Sequence, residues 1–288
     1  MMNTLPPLIS SLDEISDRYD GYLIDQWGVL HDGETVFPAA LYALERLKQA
    51  GKRVIILSNS GRSGEENARL MQEMGIARSL YERVLSAGDD ALDALTGERD
   101  TAYDHLGRRV WPFTRDDDRV DLLDHGYERA QTVADADFLF VQSMPPLPTP
   151  PADWIEQLRE GLSHSLPLIC ANPDLTRVKG AGEVVAAPGA VAEFYSGMGG
   201  QSHYHGKPWP RIYKTALKLL DVPAHRVLAI GDSLAHDMRG ACGAGIDSLF
   251  VVNGIHRERI DLSRPNTLYA ELASYPQDRP QAMIADFA

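Results

Sequence analysis

Two kinds of apolar pattern alternate along the chain. Short unbroken runs, 22–27 (YLIDQW), 53–60 (RVIILSNS), 226–233 (RVLAIGDS) and 247–254 (DSLFVVNG), read as strands. Between them, apolar positions recur at helical spacing. Residues 38–50 set Leu41, Leu44 and Leu47 on one face and stop at Gly51. Residues 64–74 end in the same way at Gly75, and a helix over about 236–243 separates the last two strands. Strands without polar alternation, interleaved with helices, predict an α/β core around a parallel sheet buried on both faces. Such sheets take ligands at the carboxyl ends of their strands, where Asp25, Ser58 and Asp232 fall.

The pattern changes between about 88 and 181. This stretch holds a charged segment, TRDDDRVDLLDHG, and a proline-rich one, MPPLPTPP (144–151). It has strand candidates at 108–113, 137–143 and 167–172 and a helix starting near Ala152. It reads as an inserted, smaller α/β domain that divides the core into 1–87 and 182–288. PPLPTPP has the composition of a polyproline ligand, but a stiff loop ahead of the helix explains it as well. There is no internal repeat.

Composition narrows the classes of function. Hydrophobic content of 44% and charged content of 24% suit a soluble globular protein. A net charge of −13 argues against nucleic acid as a partner. It leaves room for a small anionic substrate if a bound cation supplies local positive charge. No apolar run reaches the roughly 20 residues of a membrane helix. Cys170 and Cys242 are too few and too far apart for a disulfide framework, and the N-terminus has no basic-then-apolar export pattern. A cytoplasmic protein with no membrane partner is expected.

Taken singly, the polar residues at strand ends have plain explanations. Asp25 could cap a turn, and Ser58 and Asn59 are ordinary turn residues. Gly231-Asp232 followed by Asp237 suits a divalent cation and its surroundings, although a helix cap at Asp232 accounts for half of it. Lys207, in HYHGKPWP, could be a surface lysine. Asn172, Asp174 and Arg177 form either a turn with a salt bridge or a substrate contact from the inserted domain. His203 and His205 alternate along a strand whose solvated face explains them without a metal. GACGAG (240–245) precedes a strand, so it is no dinucleotide fingerprint.

Their order along the chain says more than any one of them. An Asp after the first strand, a Ser after the second, Gly-Lys-Pro before a helix and GDxxxxD near the end together resemble the haloacid dehalogenase (HAD) superfamily. Here these are Asp25, Ser58, Lys207, and Asp232 with Asp237. The large insertion, with ANPDLTR near its end, resembles subclass IIA, which carries an α/β cap. The resemblance implies a Rossmann-like core, Mg2+ and a phosphatase acting on a small phosphorylated metabolite. It makes Asp25 the nucleophile and gives Asp25, Asp232 and the Trp27 carbonyl to the metal. Asp237 would orient Lys207 or a metal-bound water. Ser58, Asn59 and Lys207 would hold phosphate, with Asn172 and Asp174 contacting the rest of the substrate. A homodimer formed through the caps would fit such a fold.

The chain departs from the family's DxD motif at one position, reading Asp25-Gln26-Trp27. The second Asp normally protonates the leaving group and then activates water, work worth roughly 10²–10⁴ in rate. Indole does not titrate and cannot replace it. Three readings follow. His31 or Asp32 acts as a surrogate, the substrate has a good leaving group, or catalysis is lost and a phosphate-binding sensor remains. For His31 a turn residue without a role is the simpler expectation, and for Trp27 a packing residue.

Overall fold

The structure is a computed structural model that describes residues 5–97, 100–115, 118–179 and 183–288. The chain begins with β1 (Leu8–Ile9), β2 (Gly21–Ile24), α1 (Pro38–Gln49), β3 (Arg53–Ser58), α2 (Gly64–Glu73) and β4 (Arg83–Ser86). It continues with α3 (Ala87–Thr96), β5 (Arg109–Phe113), β6 (Glu128–Arg129), β7 (Phe138–Val141) and α4 (Ala152–Ser163). Next come β8 (Leu168–Cys170), β9 (Thr176–Lys179), β10 (Glu183–Ala186), α5 (Pro188–Gly197) and β11 (Ser202–Tyr204). It closes with α6 (Pro210–Leu220), β12 (Val227–Gly231), α7 (Arg239–Ala244), β13 (Asp247–Val251), α8 (Pro265–Ala273) and β14 (Ala282–Ile284). Two compact units result, one of residues up to 58, 67–85 and 207–288, the other of 59–66 and 86–206.

The first unit is built on a seven-stranded sheet in the order β1-β14-β13-β12-β2-β3-β4. The β1–β14, β14–β13, β13–β12, β12–β2 and β2–β3 pairs are all parallel. From β2 the chain winds outward through β3 and β4, then resumes at β12 on the other side and winds outward through β13 and β14. The winding therefore reverses between β2 and β12, the place where doubly wound sheets open a ligand crevice. Burial on both faces explains the unbroken apolar runs. Tyr22 and Ile24 pack with Leu44 and Leu47 of α1 and Met71 of α2. Leu23 points the other way, towards Ile212, Ala216 and Leu220 of α6. Proline opens α1 and α6 at a position whose N–H would have no helical partner.

In the second unit a five-stranded sheet runs β11-β8-β7-β5-β6, with every pair parallel. β9 and β10 form a separate antiparallel hairpin. α3 starts on a capping box in which Ser86 Oγ accepts from the Asp89 N–H at 3.0 Å and Asp89 Oδ2 from the Ser86 N–H at 3.1 Å. One face of the sheet packs Leu139 and Val141 against Trp154, Leu158 and Tyr195. The other packs Phe138 and Phe140 against Ala91, Leu95 and Tyr103.

Several elements differ in extent from their sequence patterns. β2 stops at Ile24, because after the Asp25 N–H donates to Ile230 (2.8 Å) the chain turns, with Leu30 N–H bonding Gln26 O at 2.9 Å. After β12 the helix starts as one π-type turn, Leu234–Met238, before α7. The segment ending the inserted domain at 181 lies outside the described residues, as do 116 and 117 of the charged stretch. Beyond that gap β11 adds a further strand to the second unit's sheet by pairing with β8, so this unit continues to Gly206.

Candidate active site

Asp25 follows β2 and Asp232 follows β12, so the strand pair at the winding reversal delivers both carboxylates. One carboxylate oxygen from each of Asp25, Asp232 and Asp237 lies within 4.8 Å of the others. Lys207 bridges two of them, donating from Nζ to Asp25 Oδ1 at 2.6 Å and to Asp237 Oδ1 at 2.8 Å. Asp25 Oδ1 also accepts the Gln26 N–H at 2.7 Å. Asp232 Oδ2 accepts the Ile255 N–H at 2.7 Å. Lys207, Asp232 and Asp237 are all buried.

Three carboxylates face one ammonium, and the imbalance shifts the pKa values of Asp25, Asp232 and Lys207. Burial, then the charge of Asp237, raises the Asp25 carboxyl, while Lys207 only partly pulls it back. Burial, followed by the charges of Asp25 and Asp237, pushes Asp232 well above the usual carboxylate range. For Lys207 burial alone would lower the pKa, but Asp237 and Asp25 outweigh it and hold the ammonium above its ordinary value. The all-oxygen donor set and its unbalanced charge fit a hard divalent cation. Gly28 fits too. Its φ is +78°, and a Cβ there would collide with the Asp232 carboxylate, so the main chain after Trp27 runs directly against that group.

Asp237 is occupied differently. Its Oδ1 holds Lys207, and its Oδ2 accepts the Ser233 N–H at 3.1 Å. The π-type turn places it there, with Ser233 Oγ accepting the His236 N–H at 3.2 Å.

Trp27 is 43% exposed. Its ring lies over Gly33, whose φ is +98° and where a side chain would meet the indole, and edge-on to His31 at 5.1 Å. His31 is itself buried, and both ring nitrogens are engaged. Its Nδ1 accepts the Gly33 N–H at 3.0 Å, and its Nε2 is 3.1 Å from the Gln26 side-chain amide. The neutral ring must then carry its proton on Nε2. With the Gln26 amide oxygen turned towards the ring, that proton gains an acceptor and Gln26 Oε1, otherwise buried without a partner, is satisfied. Burial pushes the His31 pKa down to about 4, with Asp32 opposing. Asp32 caps its own turn, accepting N–H bonds from Thr35 (2.8 Å) and Glu34 (3.0 Å), and these hold it below the usual carboxylate range. His31 has both ring nitrogens engaged, and Asp32, whose Oδ1 takes both turn bonds, is held towards its ionised form.

Ser58 ends β3 and is buried. Asn59, Asn172 and Asp174 come together in the second unit. Asn59 Nδ2 donates to Asp174 Oδ1 at 2.8 Å, and the Asp174 N–H to Asn172 Oδ1 at 3.1 Å. His205 corrects the solvated-face expectation, because it is buried. Its Nδ1 lies 2.9 Å from Asp90 Oδ2, and its Nε2 lies 2.9 Å from the Tyr103 hydroxyl. Asp90 is 115 residues away, so no local pattern could have exposed the pair. Among the described residues, the carboxylate cluster at Asp25 is the only group of three or more His, Cys, Asp or Glu ligand atoms that converges.

Fold and site define a Rossmann-like α/β protein with a carboxylate–lysine cluster at its winding reversal and a second α/β unit inserted in the chain. Sequence profiles of haloacid dehalogenase-like hydrolases match residues 22–128 and 116–245, and a HAD-hydrolase-like profile matches 204–287. Phosphoserine phosphatase of Thermus thermophilus is 31% identical over 174 residues, 59% of this chain and 68% of that protein. A 120-residue match to dihydroxyacetone phosphatase of Corynebacterium glutamicum, 28% identical, spans 42% of this chain but only 39% of that protein. A solved haloacid dehalogenase-like hydrolase from Brucella suis 1330 is 27% identical, with a TM-score of 0.79 over 98% of this chain and 100% of that one. The Mycobacterium tuberculosis glycerol phosphate phosphatase, solved in complex with magnesium, shares the fold at 22% identity and a TM-score of 0.72, over 97% of this chain and 77% of that one. The chain belongs to the haloacid dehalogenase-like hydrolases.

Proposed function

We propose that the protein is a Mg2+-dependent phosphatase of a small phosphorylated metabolite, working through an aspartyl-phosphate on Asp25. The observation that carries this reading is Lys207 held between Asp25 and Asp237, with Asp232 alongside, at the ends of adjacent strands. An Asp25 oxygen attacks phosphorus and the ester P–O bond breaks, its electron pair leaving with the alkoxide or aryloxide. Water then displaces the carboxylate from phosphorus and releases inorganic phosphate. Splitting the displacement in two leaves each step with little to do beyond positioning and charge stabilisation.

Lys207 neutralises charge on the phosphoryl group and fixes the Asp25 oxygen it bonds, while Asp237 fixes Lys207. The Asp25 and Asp232 side chains and the Trp27 carbonyl would hold Mg2+, which when bound supplies the positive charge this cluster lacks. Ser58 and Asn59 contribute phosphate hydrogen bonds, and Asn172 with Asp174 reads the rest of the substrate.

With Trp27 in place of the usual Asp, with both His31 ring nitrogens engaged and with Asp32 held towards its ionised form, the loop after β2 offers no ready general acid among the described residues. The reading therefore favours substrates whose leaving group departs as an anion. Turnover should be measured over acyl, aryl and alkyl phosphates with and without Mg2+, together with trapping of phosphate on Asp25. Metal-dependent hydrolysis that disappears in Asp25→Asn is the expected result. Phosphate-ligand binding without turnover of any of them would replace it with the sensor reading.

A further inference from the structure

The second unit repeats the topological feature that locates Asp25 and Asp232 in the first. Its sheet is parallel throughout, and the chain passes from β5 to β6 on one side. It then enters β7 on the other side of β5 and continues outward to β8 and β11. The winding reverses between β5 and β7, and in parallel sheets this is where a ligand crevice is expected, outside the carboxyl ends of the two strands.

Four segments meet there. Arg115, two residues beyond β5, donates its backbone N–H to Ser143 Oγ, two residues beyond β7, at 3.1 Å. Gly61 presses on the Gln142 backbone so closely that a Cβ would collide with the carbonyl, which brings Arg62 to the same end of the sheet. The β9–β10 hairpin carries Arg177 and is tied to the loop after β7 by the Ala186 N–H bond to Leu147 O at 2.9 Å. The Asn59–Asp174 bond fixes the root of that hairpin.

The three arginines are not equivalent. Arg115 forks onto Asp118 at 3.0 and 3.1 Å, and Arg62 pairs with Glu66 at 3.0 Å. Arg177 is half-buried, and among the described residues no carboxylate comes within ion-pair distance of it. Burial, then the charges of Arg115 and Arg62, lowers its pKa, and Asp118 only partly compensates. Holding a guanidinium partly out of water beside like charges is costly unless an anion completes it. Its planar fork matches carboxylate and phosphate oxygens.

We propose that the crevice between the carboxyl ends of β5 and β7 in the second unit is an anion site. Arg177 forks the carboxylate or phosphate group of a small ligand, in the positive field of Arg62 and Arg115. This site does not depend on the phosphatase mechanism.

Isothermal titration of the full chain without added metal, using succinate and separately sulfate, tests it. Saturable binding near one site per chain is expected for at least one probe. Arg177→Gln should weaken it at least tenfold, Arg177→Lys should restore part of it, and Arg62→Gln should weaken it severalfold. Loss of a like-charged neighbour should leave the melting temperature of ligand-free Arg177→Gln unchanged or raised, which separates a lost site from a lost fold. Absence of saturable heat with both probes, or equal binding by Arg177→Gln, overturns the proposal. Kinetics with phenyl phosphate and 3-carboxyphenyl phosphate identify the source of the anion. A KM raised by Arg177→Gln for the carboxylated ester alone supports the site with the substrate's own second group as its ligand. Unchanged KM for both, with succinate binding lost, supports it with a separate effector.

Discussion

Asp237 and Lys207 are joined by a 2.8 Å charged hydrogen bond, while the other oxygen of Asp237 is taken by the Ser233 N–H at 3.1 Å. A carboxylate with both oxygens engaged is a brace. It holds the ammonium on Asp25 and, on the proposed function, leaves Asp25 and Asp232 as the pair that would hold the cation. Replacing it by Asn keeps the shape and removes the charge that stiffens Lys207. Asp237→Asn should therefore lower kcat about 10–100-fold, the usual cost of losing such a supporting partner. It should still show a Mg2+-induced rise in melting temperature. Loss of that rise in thermal melts would make Asp237 a ligand in its own right.

Asp232 should behave in the opposite way. Without metal its carboxylate is buried among like charges, which raises its pKa and works against the fold. Asp232→Asn removes that repulsion, so the metal-free variant should melt no lower than wild type. Wild type should gain about 2.7 kcal/mol at a Mg2+ concentration 100 times its Kd, and the variant should gain almost nothing. Calorimetry in which the variant melts far lower without metal, yet responds to Mg2+ as wild type does, would remove Asp232 from the metal site.

How much of this was legible in the sequence depended on the range of the interaction. Asp25, Asp232 and Lys207 stood out because each follows a buried strand or precedes a helix, and strand ends are local signals. β11, only Ser202–Tyr204, carries no apolar run, and its membership of the second unit's sheet rests on pairing with β8. The same holds for Asp90 with His205 and for Gln26 with His31, where burial and a hydrogen bond, not residue type, decide the role. Arg177 was visible as a charge near a turn. The neighbours that make it unusual come from two other loops, far apart in the chain.

His31 gives a pH signature. Its folded pKa of about 4 lies below the ordinary 6.5 because burial disfavours the imidazolium. Its contribution to stability is complete above pH 6.5, where both states are neutral. It is lost as pH falls towards 4, because the unfolded chain takes up the proton first. The shift corresponds to roughly 3 kcal/mol. Subtracting a His31→Gln variant isolates it from the carboxylates that titrate in the same window. Urea denaturation from pH 7 to 4 should show wild type losing about that much relative to the variant. Parallel curves would mean the ring is protonated in the fold and that its bonds to Gly33 and Gln26 are assigned wrongly.

On the proposed mechanism, Trp27 should decide which substrates the site can turn over. With both His31 ring nitrogens engaged and Asp32 held towards its ionised form by its turn, that loop should be a poor proton source for a departing oxygen. Transfer from an acyl or aryl phosphate to Asp25 should survive this loss, because the leaving anion is stable. Attack of water on the proposed aspartyl-phosphate would lack its base, so the second step should limit turnover and phosphoenzyme should accumulate. Stopped-flow traces with an aryl phosphate should show a burst near one equivalent followed by a slow steady state. Alkyl phosphates should be poor substrates. Trp27→Asp restores a titrating group on the same backbone position. Because the indole is 43% exposed, the change should cost only about 1–2 kcal/mol of packing. It should raise alkyl phosphate turnover by about 10²–10⁴ and abolish the burst. Equal wild-type rates on alkyl and aryl phosphates, with no burst on either, would show that an acid and base act here after all and would return the search to residues outside this loop.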